Sequence, residues 1–396
     1  PMCHLHAGGN FYREIADDDC LKLLERSLEF IQCYPEAINT RPTVCTVPLR
    51  DAGSSTDLLP RLKKIQQAYQ ELIQEDPSKE LLGPAERYFH TYSRAQLEQL
   101  AQQDCPKEAK TDDDWLIPIA KSLNLDDFQF PFILVQEYGL SLFRVAATAS
   151  LKLEALDNVQ LLTQTKVNDI TETANGWQIH SSTEEIIEVD FLVNSCGYQT
   201  GKIDDMLDQT RQRLLEFKAA YLAQWPSQQG QWPELVIHGK RDTPEGMIQL
   251  SPYQNGLFQI HGMCQGVTLF KNGLVSSDEN SAQPEFKKDL QDKLSLGWTA
   301  DDIQVHTQAA IDHAAKLVPS FSTAQAAGKP LFGAQQIPGE DVKLRTADVS
   351  FVGENYARTE IIKASSAPFA AKAIIEKLRQ QGQISREHQL PAGKET

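Results

Sequence analysis

The segment Asp190-Phe191-Leu192-Val193-Asn194-Ser195-Cys196-Gly197-Tyr198 decides the first reading of the fold. Residues 190–194 form a nearly continuous apolar run, as expected of a strand covered on both faces. The run breaks at Ser195-Cys196-Gly197-Tyr198. A glycine there lets backbone approach a ligand closely at the carboxyl end of a sheet, where α/β folds bind nucleotides. An ordinary strand and turn would look the same, so the segment needs support from elsewhere.

Upstream, an Asn175-Gly176 turn joins VQLLTQTKVNDITET to Trp177-Gln178-Ile179-His180. Asn-Gly between such stretches signals a hairpin. Before it, Gln136-Glu137-Tyr138-Gly139-Leu140 leads into a helix predicted over 141–156, with Leu142, Val145, Ala149 and Leu153 along its buried stripe. Helical spacing also marks 19–34 (Leu23, Leu24, Leu28, Ile31), stopped by Pro35, and 58–75 (Leu62, Ile65, Tyr69, Leu72). Residues 43–48 (TVCTVP) have strand propensity. Residues 76–130, with the acidic run Asp112-Asp113-Asp114, read as short helices and loops at the surface.

Downstream the texture changes. A helical stretch through Phe217 is predicted before strands at 235–238, 247–250, 257–261 and 267–270, as an antiparallel sheet with a binding face would give. Residues 301–318 read as a helix ended by Pro319, 349–353 as a short strand, and 363–379 as a helix. The polar tail after Gln380 is expected to fray.

At the C-terminal helix start, Ser365 and Ser366 can act as caps, leaving N–H groups for an anion or carbonyl. At the other end, Cys3-His4-Leu5-His6-Ala7-Gly8-Gly9-Asn10 reads as a loop. Its paired glycines permit close backbone approach to a flat ring, and two nearby histidines are unusual in a mere loop. The H-x-H fragment has no further ligand at helical spacing, so no metal site is expected.

Composition sets outer bounds. The 396 residues are 41% hydrophobic, enough for a sizeable core, and suggest two domains or one with a large insertion. Lys and Arg number 38 against 54 Asp and Glu, a formal charge of −16, which repels phosphate backbones; nucleic acid is not an expected partner. No run of eighteen apolar residues occurs, so no membrane-spanning helix is expected. Seven cysteines without a C-x-x-C spacing argue against a structural zinc or redox pair and suit a reducing, cytoplasmic compartment.

Taken in order, HAGGN, QEYGL plus helix, the hairpin, D-x-V-N-x-x-G (Asp190, Val193, Asn194, Gly197) and SFVGENYARTEIIKASSAPFAAKAI resemble the D-amino-acid-oxidase family, also called the glycine-oxidase or sarcosine-oxidase group. The resemblance spans both ends and the middle of the chain. It implies an α/β flavoprotein: a discontinuous Rossmann-like FAD domain (1–18, 135–205, 340–380) and an α+β substrate domain with an antiparallel sheet (19–134, 206–339), then a tail at 381–396. Implied cofactor-binding residues are His4, His6, Ala7, Gly8, Gly9, Val167, Ser195, Cys196, Gly197, Tyr198, Ala364, Ser365 and Ser366.

Members of the family open on a strand, a G-x-G-x-x-G turn and a helix, which hold the FAD pyrophosphate. No G-x-G occurs here, so the resemblance implies a chain that lacks its first βαβ unit. His6-Ala7-Gly8-Gly9 also resembles the setting of a covalent flavin attachment in related amine dehydrogenases; a non-covalent loop histidine is the other reading. On the substrate side, Arg345 and Arg358 are the leading partners for a substrate carboxylate. Lys363 is placed to stabilise negative charge, and Tyr253 and His261 to line the pocket; Arg41 and Arg50 are further candidates.

The reaction implied is hydride transfer from a small amine or amino acid to flavin, with oxygen or a quinone as acceptor and no obligatory acid–base residue. A hydroxy-acid dehydrogenase of the malate or glycerol-phosphate type is the alternative, and a non-catalytic paralogue without the nucleotide loop a rival of another class. A peripheral membrane contact and the oligomeric state stay open.

Overall fold

The computed structural model describes residues 2–10 and 15–384, the side chains of Met2 and Cys3 excepted. The expected fraying of the tail therefore falls mostly outside the described residues.

A ten-stranded mixed sheet forms the centre. Its main path runs Leu269–Ser276, Arg213–Gln224, Leu257–Gly262, Ile248–Pro252, Glu234–Ile237, Thr43–Pro48, Phe128–Val135 and Phe89–Tyr92. Strands Gln325–Ala326 and Leu331–Pro338 also pair with Arg213–Gln224. The pairings are antiparallel except that between Glu234–Ile237 and Thr43–Pro48, where Glu234 lies opposite Thr43.

Both faces of this sheet are covered, and the period-2 geometry of a strand sorts its side chains between them. Phe132, Leu134, Leu235 and Ile237 join one core with Trp225, Trp232, Phe258, Ile311 and Phe321, under the helices Asp112–Ser122 and Ala300–Ala315. Ile133, Val135 and Val236 point the other way, into a core closed by Leu23, Leu24, Ile65 and Tyr69. Those come from the helices Asp17–Cys33 and Leu59–Glu75, where the spacing predicts them. Each fully buried Leu or Phe adds roughly 1.5–3 kcal/mol.

Three smaller sheets carry the remaining strands. Leu192–Asn194 pairs in parallel with Tyr356–Arg358, which is flanked by Ser350–Val352. Met2–His4 and Ile38–Asn39 flank Gly139–Ser141. Val167–Glu172, Trp177–Ser181 and Ile186–Val189 form the predicted hairpin extended by a strand. The C-terminal helix Ala367–Gln380 packs on Asp17–Cys33.

Several expectations are corrected. Phe217 belongs to the twelve-residue strand Arg213–Gln224, not to a helix. The strand is flanked on both sides and covered on both faces, so the alternation that would reveal a strand is erased. Residues 76–130 are mostly short helices and loops at the surface, as expected, but Leu116, Ile117 and Ile119 are buried on the helix Asp112–Ser122, and Phe128 opens the central strand Phe128–Val135. The acidic run there opens a helix, since Thr111 Oγ1 accepts the Asp114 N–H and the Asp114 carboxylate accepts the Thr111 N–H.

The helix Leu142–Glu154 exists, but its residues are not buried; Phe143 is 70% exposed. Periodicity fixes the helix and not what lies against it. Likewise the strand at 190–194 shortens to Leu192–Asn194 on the edge of its sheet, with Val193 exposed. The segment 2–4 is a strand rather than loop. Of the predicted strands, 267–270 shifts to Leu269–Ser276.

Candidate functional site

Two cavities abut where the start of the chain, the central sheet and the segment 361–365 meet. The larger, about 330 Å³, is lined by His4, Leu5, His6, Leu140, Gly197, Tyr198, the strand residues 334–336 and residues 361–365. The smaller, about 200 Å³, is lined by His6, Asn10, Lys218, Gln249, Gln259, His261, Arg345 and Lys363, among others. His4, His6, Gln335 and Lys363 line both and form the shared wall.

Local structure explains how the loop at 5–10 is held there. The Leu5 N–H donates to the Tyr138 carbonyl (2.9 Å), and Ser27 Oγ donates to the His6 carbonyl (2.6 Å). His6 Nδ1 contacts Asn10 Oδ1 at 3.3 Å. Gly8 has φ +102° and its α-carbon faces the Cys20 carbonyl, where a Cβ would come within 2.5 Å. Gly9 is pressed against Tyr88 and Glu137 and donates its N–H to Glu137. The two glycines and Ala7 thus serve close packing against the protein's own core, and none of them lines either cavity.

Beneath this loop lies a buried chain of charges. His4 Nε2 meets Glu137 Oε2 at 3.0 Å and His4 Nδ1 meets Glu234 Oε2 at 3.4 Å. Arg41 Nη2 donates to the same Glu234 oxygen at 2.9 Å. Gln249 and the Ser251 hydroxyl donate to Glu234 Oε1, the latter at 2.8 Å. Burial alone would depress the His4 pKa; the Glu234 and Glu137 carboxylates outweigh it and push it up to about 9. Burial would raise the Glu234 pKa, but His4 and Arg41 hold it well below the usual carboxylate range.

The other two histidines behave oppositely. Burial, then Lys363 and the His4 cation, push His6 well below its ordinary value. Burial, then Lys218 and Lys363, lower His261 to about 4. Lys218 itself contacts Glu216 at 2.9 Å and donates to Gln335 Oε1 at 2.7 Å.

The remaining sequence candidates are dispersed. Lys363, Arg345 and His261 are brought together at the smaller cavity. Arg345 is also fixed by hydrogen bonds from Nη1 to the Val342 and Leu344 carbonyls. Arg358 is elsewhere: it is buried with its Nε on Asp204 at 2.5 Å, in a cluster with Arg213 and Tyr356. Tyr253 and Arg41 line a separate open cleft of about 950 Å³, and Tyr253 donates to Gln259. Arg50 is exposed at a strand end, and Val167 lines neither cavity.

Gly197, Tyr198, Ala364 and Ser365 line the larger cavity, whereas the exposed Ser195 and Cys196 do not. Ser366 precedes the C-terminal helix without a side-chain capping bond and instead accepts from Arg26. Sequence reasoning missed Lys218, Gln249, Gln335, Glu137 and Glu234. QEYGL drew attention to the segment of Glu137 but not to its role; a polar or charged residue inside an otherwise apolar strand was the available signal for Lys218, Gln249, Gln335 and Glu234. Among the described residues, no group of three or more His, Cys, Asp or Glu side chains is arranged to hold a metal. No helix among them is long and apolar enough to cross a membrane.

No family model matches the chain, and no curated protein matches it by sequence. Solved structures do match in fold. Glycine oxidase from Geobacillus kaustophilus superposes with a TM-score of 0.56 at 11% identity, covering 95% of this chain and 83% of that one. NikD, an amino acid oxidase essential for nikkomycin biosynthesis, gives 0.60 at 9% identity, with 99% and 85% covered. L-α-glycerophosphate oxidase from Mycoplasma pneumoniae gives 0.53 at 10% identity, with 96% and 83% covered. The chain thus has the fold of glycine oxidase and its structural relatives. At these identities the likeness is one of fold.

Proposed function

We propose that this chain carries the flavin-ring and substrate environment of an FAD-dependent oxidoreductase that oxidises a small amine or amino acid. The wall shared by two cavities carries the reading. Redox chemistry of this type needs a cofactor ring and a substrate C–H side by side, each in its own pocket, and His4, His6, Gln335 and Lys363 face both spaces. Three of the matched solved structures are a glycine oxidase, an amino acid oxidase and a glycerophosphate oxidase with FAD bound, which supports the same cofactor here.

The residues of the larger cavity fit a flavin ring. Ser365 Oγ is buried there with no hydrogen-bond partner among the described residues, and the polar edge of a ring would satisfy it. Leu5, Tyr198 and Ile362 offer apolar or flat surface, and Lys363 offers a cation. When bound, FAD supplies the two-electron acceptor. No G-x-G-x-x-G occurs in these 396 residues, so retention of the pyrophosphate is the part of the reading most open to test.

In the smaller cavity Lys218, Arg345 and Lys363 supply cationic side chains, and no described lining residue is acidic. Such a lining binds a substrate carboxylate. His261, with its pKa near 4, is too weak a base to hold a proton at neutral pH and acts as an uncharged hydrogen-bonding wall. The amine must then enter already deprotonated. The same cations favour a hydroxy acid or a phosphate ester as the second reading. Oxygen or a quinone serves as acceptor, and the free state of the six cysteines among the described residues suits a reducing, cytoplasmic compartment.

The full chain is titrated with FAD and with riboflavin, then mixed without oxygen with glycine, proline, malate or glycerol phosphate. Quenched flavin fluorescence and substrate-dependent bleaching are expected. Protein that alters neither flavin overturns the reading and favours a non-catalytic binding module.

A further inference from the structure

We propose that His4 is a positioning residue whose ring, bridging Glu137 and Glu234, fastens the 6–10 turn to the central sheet and so fixes the wall between the two cavities. The purpose of that wall rests on the flavoprotein reading; the bridge itself does not.

The geometry requires a particular form of the ring. Both its nitrogens lie against carboxylate oxygens: Nε2 is hydrogen-bonded to Glu137 at 3.0 Å, and Nδ1 lies 3.4 Å from Glu234 in an ion-pair contact without hydrogen-bond geometry. A neutral imidazole has one N–H and one lone pair, so one carboxylate would face that lone pair. Only the imidazolium attracts both. Arg41, Glu234, His4 and Glu137 then alternate in sign along a buried line, which is how buried charges are tolerated.

Glu137 converts this bridge into a restraint on the loop. One of its oxygens takes His4 Nε2; the other accepts the Gly9 N–H and the Tyr88 hydroxyl, the latter at 3.2 Å. Gly9 lies 128 residues from Glu137 in sequence, so this hydrogen bond ties the turn directly to the end of a central strand. Without His4, Glu137 keeps the Gly9 N–H and the Tyr88 hydroxyl, while Glu234 keeps Arg41, Gln249 and Ser251. The groups facing His4 are Glu137 just past the strand Phe128–Val135, Glu234 on a strand separated from that one by Thr43–Pro48, His6 on its own segment with ring centroids 4.8 Å apart, and Lys363 across the cavities. His6 is therefore the ring that stays neutral, as its lowered pKa reflects.

The test uses the full chain without added flavin, labelled with 15N in histidine and glycine. Both His4 nitrogens are expected to carry protons at pH 6.5, and to titrate near 9 together with a shift of the Gly9 amide resonance. In His4→Gln the Gly9 amide is expected to exchange with solvent at least about tenfold faster, and the titration to vanish. Glu234→Gln should lower the His4 pKa while leaving the Gly9 hydrogen bond partly in place. A neutral His4 at pH 6.5, or a Gly9 amide blind to its titration, overturns the proposal. The wild-type titration decides even if His4→Gln does not fold. A normal His4 titration in protein that binds no flavin would sink the flavoprotein reading alone.

Discussion

Arg26 Nη1 donates to the Ser366 hydroxyl at 3.1 Å, joining the helix after the HAGGN loop to the start of the C-terminal helix. The same guanidinium reaches the Ala347 carbonyl and Asp348, and its carbon lies 4.3 Å from the centre of the Phe369 ring. One buried side chain thus sets the spacing between the two ends of the chain that line the larger cavity. Arg26→Met keeps the apolar stem and removes the bonds, so it is expected to cost about 1–3 kcal/mol in urea unfolding. A change within error would show that the helices dock without it.

Asp204 accepts from Arg213 Nη2 (2.5 Å), Arg358 Nε (2.5 Å) and the Tyr356 hydroxyl (2.6 Å), all buried. Asp204→Asn leaves two buried guanidinium groups short of their anion and should cost about 3–5 kcal/mol. Calorimetric or urea unfolding measures it. Arg358→Met should behave as a stability variant and leave ligand binding in the folded protein unchanged, because Arg358 lines neither cavity.

Gly8→Ala should be severe, because the backbone sits at φ +102° and the new Cβ would meet the Cys20 carbonyl at 2.5 Å. Neither atom is a flexible side-chain end, so the loop must move. A loss of about 2–4 kcal/mol is expected from left-handed strain plus overpacking. Equal melting temperatures for variant and wild type would contradict this packing.

The histidines give stability a maximum near pH 6.5. The His4 pKa is raised from 6.5 to about 9, so its contribution is complete below 6.5 and is lost as pH rises through about 9. His6 and His261 are lowered, the latter to about 4, so the unfolded chain binds more protons than the folded one below 6.5. Stability therefore also falls as pH drops from 6.5 toward about 4. The depressed Glu234 adds a further loss below its ordinary value of 4.5. Urea unfolding across this range should show both limbs, with His261→Gln flattening the acid one; a monotonic profile would contradict the assignment.

What the sequence made legible was local. Leu23, Leu24, Leu28 and Ile31 mark a helix because periodicity of 3.6 survives one-sided burial, and Asn175-Gly176 marks a hairpin whose loop is 173–176, where Gly176 is needed because a Cβ would meet the Val189 carbonyl. Phe217 misled because a strand flanked on both sides loses its alternation. In the site, Lys363, Arg345 and His261 were anticipated, whereas the partners of His4 were not. Glu137 is brought to His4 by a contact across 133 residues and Glu234 by packing of the small sheet that holds His4 against the central sheet, and no local pattern encodes either.

The most direct test asks whether a flavin ring occupies the cavity between residues 4–6 and 361–365. Riboflavin fluorescence is titrated with wild type, with Ala364→Trp, which fills that cavity, and with Leu296→Trp, on a surface residue 82% exposed and lining neither cavity. Saturable quenching by wild type and Leu296→Trp, weakened at least about tenfold in Ala364→Trp, is the predicted result. Equal binding by all three, or binding by none, would contradict the account.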